Sequence, residues 1–300
     1  MRSLISSSRL FTAVEPTTAV GKIIQFPIIR MLIAIVFLIP VLLLHNFIYD
    51  TYIANIQDQT LKLTLKYVEV SLICLLLFKS YALYTQLIEK RKAIEISIRS
   101  ASNEIISGFM LGAGLIVLMI ILFFITGCIK ITSTNSPFIL LDHFFKYGIG
   151  SLVEELLFTL IIFKLIEEAF GTWTALLFNA LLFGFAHIFN DNATVWTSMA
   201  IAISNPIIVL CFVITRRIWM SWMLHLGWNY TQAAIFNMPN SGQDFGGYLE
   251  TIVEGPEWFT GGAFGVEASY VSVFINVMVA VGLLFIAIRN DQIVKVFWKR

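Results

Sequence analysis

Eight apolar stretches, each near the length that a helix needs to cross a bilayer, constrain this chain more than any other feature. A membrane-spanning helix takes about 20 mostly apolar residues. Only 13% of the residues are charged, against about 25% in a typical soluble domain. We therefore predict an all-α protein, a polytopic membrane bundle of about eight transmembrane helices. The predicted spans are residues 31–49, 67–86, 105–127, 138–168, 173–189, 194–215, 219–236 and 270–288.

The distribution of lysine and arginine predicts how this bundle is oriented, because basic residues concentrate in cytoplasmic connections. The connection 237–269 has no Lys or Arg but several acids, and it either caps a site from outside or is a solvated loop. We predict that both termini are cytoplasmic. The basic residues on the predicted cytoplasmic side are Arg2, Arg9, Lys22, Arg30, Lys90, Arg91, Lys92, Arg99, Lys164, Arg216, Arg217, Arg289, Lys295, Lys299 and Arg300.

The net charge of +1 and the lack of a basic stripe give no reason to expect a nucleic-acid partner. Two segments predict departures from straight spans. Ile94, Ile98 and Ala101 recur at helical spacing in 90–104, which predicts a short amphipathic helix along the cytoplasmic interface. Asn205-Pro206 lies inside an apolar run and predicts a kink.

Two adjacent glutamates, Glu154 and Glu155, lie in the otherwise apolar stretch VEELLFTLIIF. An ionisable residue at the centre of a membrane helix costs about 2.5–3.5 kcal/mol on insertion scales, so such residues usually have a function. Adjacent helical residues point about 100° apart. Both glutamates can therefore border a wet cavity, although they cannot both face one narrow seam.

Two later helices carry further polar side chains. Phe183 and His187 are four residues apart and share a helix face, as do His225 and Asn229. These groups could assemble a hydrolytic site, in which a carboxylate takes a proton from water and His and Asn stabilise an oxyanion. They could instead hold a catalytic zinc through Glu154, His187 and His225, since two His and one Glu are a known zinc set. The residue pattern leaves both chemistries open.

The three motifs together resemble one family. EELLFT at 154–159, FGFAH at 183–187 and HLGWN at 225–229 are similar to motifs of the CPBP family of CAAX proteases and bacteriocin-processing enzymes, also called the Abi family. The family pattern is Glu-Glu-x-x-x-Arg, Phe-x-x-x-His and His-x-x-x-Asn. The resemblance extends over about 90–288.

This resemblance implies a membrane-embedded endopeptidase, and an origin in a bacterial plasma membrane. The catalytic set carried over by position is Glu154, Glu155, His187, His225 and Asn229. Glu154 would activate water, the two histidines would surround it, and Asn229 would stabilise the oxyanion. The substrate would be a peptide or a membrane protein reached within the lipid bilayer. Both a metalloprotease and a metal-independent glutamate mechanism have been assigned to the family, so zinc is the one cofactor to consider.

The chain departs from the family at the first motif, where Thr159 stands in place of the arginine. An arginine four residues after Glu155 would form an ion pair with it. Without that arginine, Glu155 is expected to be neutral or to have another partner, and Lys146 is a candidate. In straight helices His187 and His225 would also lie at different depths, so either the predicted helix ends are misplaced or some of these helices are broken or re-entrant around the cavity.

The resemblance also suggests a division of the chain. Residues 1–30 would form a cytoplasmic N-terminal segment, 31–104 two helices and the interfacial helix, 105–288 a peptidase-like core, and 289–300 a cytoplasmic tail. Two other functions compete with proteolysis. Thr159 is compatible with a non-catalytic immunity or scaffold protein. The Glu pair could serve a transporter as a proton relay, although the inverted repeat typical of transporters is not evident.

Overall fold

The computed structural model describes residues 7–12, 14–99 and 101–296, and it is a bundle of helices. The predicted class of all-α membrane bundle is confirmed. In the described part of the chain the helices are α1 (Ala19–Gln25), α2 (Pro27–Ile48), α3 (Gln59–Leu87), α4 (Ala101–Ile125), α5 (Phe138–Glu154), α6 (Lys164–Ala186), α7 (Val195–Ser204), α8 (Pro206–Thr215), α9 (Ile218–Asn229), α10 (Glu257–Thr260) and α11 (Tyr270–Arg289). Short 3-10 or π-helical segments are Ser7–Leu10, Tyr49–Ile53, Ile94–Ile96, Glu155–Phe163, His187–Phe189, Tyr230–Ile235 and Val266–Ala268.

Among the described residues, four helical segments are long and apolar enough to span a membrane, so the protein is an integral membrane protein. They are Pro27–Ile53, Ala101–Ile125, Val195–Thr215 and Tyr270–Arg289. Helices also cover the other four predicted spans. The total of eight crossings and the cytoplasmic position of both termini remain predictions, and Arg2, Lys299 and Arg300 lie outside the described residues.

Close packing of α4 against α9 fixes the helix that carries His225 and Asn229. Gly108 and Gly112 of α4 face the backbone of α9, and Gly227 of α9 faces the backbone of α4. A Cβ atom at any of the three would collide with a backbone carbonyl of the other helix. Small residues allow such close approach in membrane bundles.

From the start of α5 at Phe138 the chain stays helical up to Gly171 within α6. The regular turns of α5 end at Glu154, and the next nine residues, Glu155–Phe163, form a π-helical segment. Gly171 then interrupts α6 with a φ of 81°, next to the backbone of residues 294–296. This break separates the two spans predicted at 138–168 and 173–189.

A two-stranded antiparallel sheet, which the sequence did not predict, joins two connections that are distant in the chain. Strand β1 (Ile129–Thr134) follows α4, and β2 (Leu249–Val253) lies in the acidic connection. Ile129 pairs with Val253 and Thr134 with Leu249. This small sheet therefore fixes the connection 237–269 to the bundle near the start of α5.

Two predicted irregularities have different outcomes. The helix is interrupted at the predicted place, between α7 and α8, because Pro206 has no N–H to donate, although Asn205 keeps helical backbone angles. The prediction of an amphipathic helix across 90–104 was wrong. The described residues of this segment contain a single 3-10 turn, Ile94–Ile96, before α4 begins at Ala101. The reason is tertiary, because Glu95 is drawn into a buried cluster of charges.

That cluster lies at the end of α3. Lys164 is completely buried, and its Nζ lies 2.8 Å from Oε2 of Glu89. Arg91 contacts the same Glu89 oxygen at 2.6 Å, and Arg30 approaches its other oxygen at 3.5 Å. Arg91 also forms an ion pair with Glu95 at 2.7 Å. Several of the basic residues that predicted orientation are thus buried in ion pairs instead of exposed to water.

Candidate active site

A cavity of about 320 Å³ lies between α5, α6, α9 and the connection that follows α9. Glu154, His187, His225 and Asn229 all border it. Four of the five residues predicted from the motifs therefore come together from three helices. Glu155, the fifth, is buried and does not line the cavity.

Glu154 is the last residue of α5, and its side chain is 39% exposed. Its Oε2 atom has no hydrogen-bond partner among the described residues and lies 3.7 Å from Nε2 of His225. Oε2 itself is buried beside His225, whereas the exposed part of the Glu154 side chain borders the cavity, where its carboxylate can accept a proton from water.

Glu155 is 1% exposed and positions its neighbours. One of its oxygens contacts Nδ1 of His225 at 2.9 Å, and the other accepts a hydrogen bond from the Thr159 hydroxyl at 2.6 Å. Lys146 is not its partner, contrary to expectation, since the Lys146 ammonium lies 2.6 Å from the centre of the Phe245 ring. Both carboxylate oxygens of Glu155 are satisfied without the family arginine.

Glu155 orients the imidazole ring of His225. A carboxylate only accepts hydrogen bonds, so Nδ1 of His225 carries the proton that is donated to Glu155. The Nε2 atom is then left facing Glu154. The ring of Phe183 stands edge-on to the imidazole, with centroids 6.1 Å apart.

His187 lies in the 3-10 turn that ends α6. Its Nδ1 contacts the carbonyl of Phe183 at 2.7 Å, and its ring lies 4.7 Å from the Phe183 ring. The Phe183 ring thus lies near both histidines, and both imidazole rings border the same cavity.

Asn229 is held by a residue that the sequence did not reveal. Its Oδ1 accepts a hydrogen bond from Nδ2 of Asn240 at 3.1 Å. The Nδ2 group of Asn229 therefore remains available as a donor. Asn240 lies in the stretch MPNSGQD, whose composition is that of any turn, so no sequence signal marked it.

Glu267 anchors the loop that contains Asn240. Its carboxylate accepts hydrogen bonds from the backbone N–H of Ser241, from the Ser241 hydroxyl at 3.1 Å and from Gln232 at 2.6 Å. Asn190 adds a bond to the Ser241 carbonyl at 3.0 Å. Burial raises the pKa of Glu267, and these hydrogen bonds oppose the increase. Part of the acidic connection is thus folded into the wall of the cavity.

The zinc set considered from the sequence, Glu154, His187 and His225, borders the same cavity. Zinc requires several ligand atoms about 2.0–2.2 Å from one point. Within the described residues, no three His, Cys, Asp or Glu side chains are arranged to hold a metal ion. Nδ1 of His187 and Nδ1 of His225 both contact protein oxygens, which leaves the Nε2 atoms of the two rings toward the cavity.

Comparison with known proteins agrees with the motifs. Residues 136–231 match a family model described as type II CAAX prenyl endopeptidase Rce1-like. All three motifs fall inside this segment, which is shorter than the 90–288 over which the resemblance was expected. The resemblance is confirmed for residues 136–231. Neither a curated protein nor a solved structure is significantly similar to the chain.

Proposed function

We propose that this protein is an intramembrane endopeptidase of the CAAX-protease type, in which Glu154 activates a water molecule. One observation carries the proposal. A carboxylate with a free oxygen lies 3.7 Å from the Nε2 atom of a histidine whose other nitrogen is fixed by a second, buried carboxylate. Ionisable side chains inside a membrane protein are energetically costly, and those that are present usually have a function.

The proposed reaction begins with a water molecule in the cavity, hydrogen-bonded to Glu154 beside His225. Glu154 takes a proton from the water, and the hydroxide attacks the carbonyl carbon of a peptide bond. The Nδ2 group of Asn229 donates a hydrogen bond to the oxyanion that forms, and His187 lines the cavity beside it. Glu154 then gives its proton to the amine that leaves, which completes the hydrolysis.

Thr159 is compatible with this activity. The family arginine would neutralise Glu155 by an ion pair, whereas here the Thr159 hydroxyl and the His225 imidazole occupy the two carboxylate oxygens. Glu155 needs only to keep His225 in place, and this requires satisfied oxygens and not a particular cation.

We further propose that the substrate is a peptide or a membrane protein that reaches the cavity from the bilayer or its outer face. In the predicted orientation, with both termini cytoplasmic in a bacterial plasma membrane, the connection 237–269 is external. Asn240, Ser241, Gln243 and Phe245 of that connection line the cavity.

The test compares cells that carry the wild-type protein, Glu154→Gln or Glu254→Gln at matched protein levels. Glu254 is an exposed acid beyond β2 and serves as the control. Mass spectrometry of peptide ends from membranes should find new ends in the wild type and the control that fall about 10²–10⁴-fold in Glu154→Gln, the usual effect of a lost general base. A phenotype that persists in Glu154→Gln with no change in peptide ends would instead support a scaffold protein.

A further inference from the structure

A second, smaller pocket adjoins the catalytic cavity. Its volume is about 70 Å³, and it lies between α7, α8, α9 and α11. The two spaces share His187, His225, Asn229 and Ser241 as lining residues. A group bound in the second pocket would therefore lie directly beside a peptide bond held at the catalytic residues.

Three polar side chains in this pocket lack partners. Asn205 lies at the break between α7 and α8 and is 4% exposed, and Asn276 lies in α11 and is 3% exposed. Within the part of the chain that the structure describes, the Oδ1 atoms of both and the Oγ atom of Ser204 are buried without a hydrogen bond. A buried polar atom left unsatisfied costs about 1–3 kcal/mol. Three such atoms around one space call for a partner that the chain does not supply.

The remaining surroundings are apolar or neutral. The walls are completed by Phe183, Ile201, Ile207, Ile208, Leu224 and Trp228. No Lys or Arg is among the residues that line the pocket. Glu267 is the one acid, and burial raises its pKa, which favours its neutral form. A charged ligand would lose its hydration here without gaining an ionic partner, and that loss is large.

We propose that Ser204, Asn205 and Asn276, which we call the amide pocket, hold a carboxamide side chain of the substrate next to the scissile bond. This inference rests on the proposed function. Each asparagine offers an Oδ1 acceptor and an Nδ2 donor, and the Ser204 hydroxyl can do both, so the pocket suits a neutral group that donates and accepts. A carboxamide is the neutral side chain with two N–H donors and a carbonyl oxygen. About 70 Å³ is the space of roughly two water molecules at about 30 Å³ each, which suits the terminal carboxamide group of a side chain.

The experiment uses the full-length protein in lipid nanodiscs and a library of peptides randomised on both sides of a potential cleavage point. Mass spectrometry identifies the products. At one position beside the cleaved bond, wild type should prefer Gln or Asn over Leu by about tenfold, as one or two net hydrogen bonds provide. Asn276→Leu, which has nearly the same size, should remove that preference and favour Leu. Asn103→Leu, at an exposed site of α4, is the matched control and should keep the wild-type preference.

Asn205→Leu provides a second variant, in case Asn276→Leu fails to fold. Cleavage without an amide preference in the wild type, or with the preference unchanged in both variants, would overturn the amide pocket and leave the peptidase in place. It would mean that water alone fills the pocket. No cleavage by the wild type beyond the level of Glu154→Gln would overturn the peptidase proposal, and the amide pocket with it.

Discussion

Glu154 and Glu155 are adjacent in the chain but occupy different environments, because successive helical residues point about 100° apart. Glu154 faces the cavity with a free oxygen, whereas Glu155 is turned into the bundle and has a partner on each oxygen. In the proposed mechanism one carboxylate reacts and the other orients the histidine.

The Thr159 hydroxyl provides the first prediction, at the scale of one residue. Thr159→Val keeps the shape of the side chain but removes the hydrogen bond to Glu155. A buried carboxylate oxygen then has no partner, so the free energy of unfolding should fall by about 1–3 kcal/mol. Thermal unfolding in a mild detergent measures this change.

Thr159→Ser is the control for that variant, because serine retains the hydroxyl. We expect it to remain within about 1 kcal/mol of the wild type. Equal stability of Thr159→Val and wild type would contradict the role of the 2.6 Å hydrogen bond.

At the scale of secondary-structure elements, the contact between α4 and α9 determines where His225 and Asn229 lie. Glycines bring the two backbones together, so that any side chain at the contact would push α9 away. The π-helical segment after Glu154 and the break at Asn205 have a similar role. π-helical turns occur often at functional sites, and the break places Asn205 in the amide pocket.

Gly112→Ala tests the helix contact. The added Cβ would meet the Leu224 carbonyl and the Trp228 N–H, which are backbone groups and cannot turn aside. Over-packing of this kind costs about 1–3 kcal/mol. Stability should fall by that amount, and peptidase activity should fall as well, because α9 carries two site residues.

Gly114→Ala is a matched control two residues along the same helix, since a Cβ there would meet nothing within 4 Å. It should leave stability unchanged or slightly raised, because alanine favours the helix more than glycine does. If both variants behaved alike in thermal unfolding and peptide cleavage, the α4–α9 contact would not position the site.

At the scale of the whole molecule, the buried charge cluster ties the segment after α3 to α6. Glu89 is fully buried, and burial by itself would raise the pKa of its carboxyl group. Lys164, Arg91 and Arg30 outweigh burial, and the pKa of Glu89 is lowered from its ordinary 4.5. A carboxyl whose pKa is lower in the folded state stabilises the fold above the unfolded pKa and loses that effect as pH falls through the folded pKa.

Glu89→Gln should therefore be less stable than the wild type near pH 7, by about 3–5 kcal/mol for a broken buried ion pair. The difference should narrow as the pH falls below about 4.5, because Glu89 of the unfolded chain then takes up a proton, whereas the folded protein with its lower pKa does so only at lower pH. Thermal unfolding of the two proteins between pH 7 and 3 measures this. A difference that stays constant over the whole range would show that Glu89 does not titrate as inferred.

Local periodicity accounts for what could be predicted. Apolar runs of membrane-spanning length predict helices wherever they occur, since lipid imposes the same requirement on each run. Spacings of four residues place Phe183 with His187, and His225 with Asn229, on common helix faces. For that reason the membrane class and the helical segments could be inferred before any contact was known, and the resemblance to the CPBP motifs supplied the residues of the candidate site.

Contacts between distant segments decided the rest. The pairing of Glu155 with His225 joins residues 70 positions apart, and that of Lys164 with Glu89 joins residues 75 apart. The pairing of β1 with β2 and the hydrogen bond from Asn240 to Asn229 likewise depend on the tertiary fold. The sequence by itself determined which residues are costly in a membrane and on which helix face they lie. Only the tertiary structure decided which partners satisfy them, because burial and hydrogen bonding depend on the assembled bundle and not on local spacing.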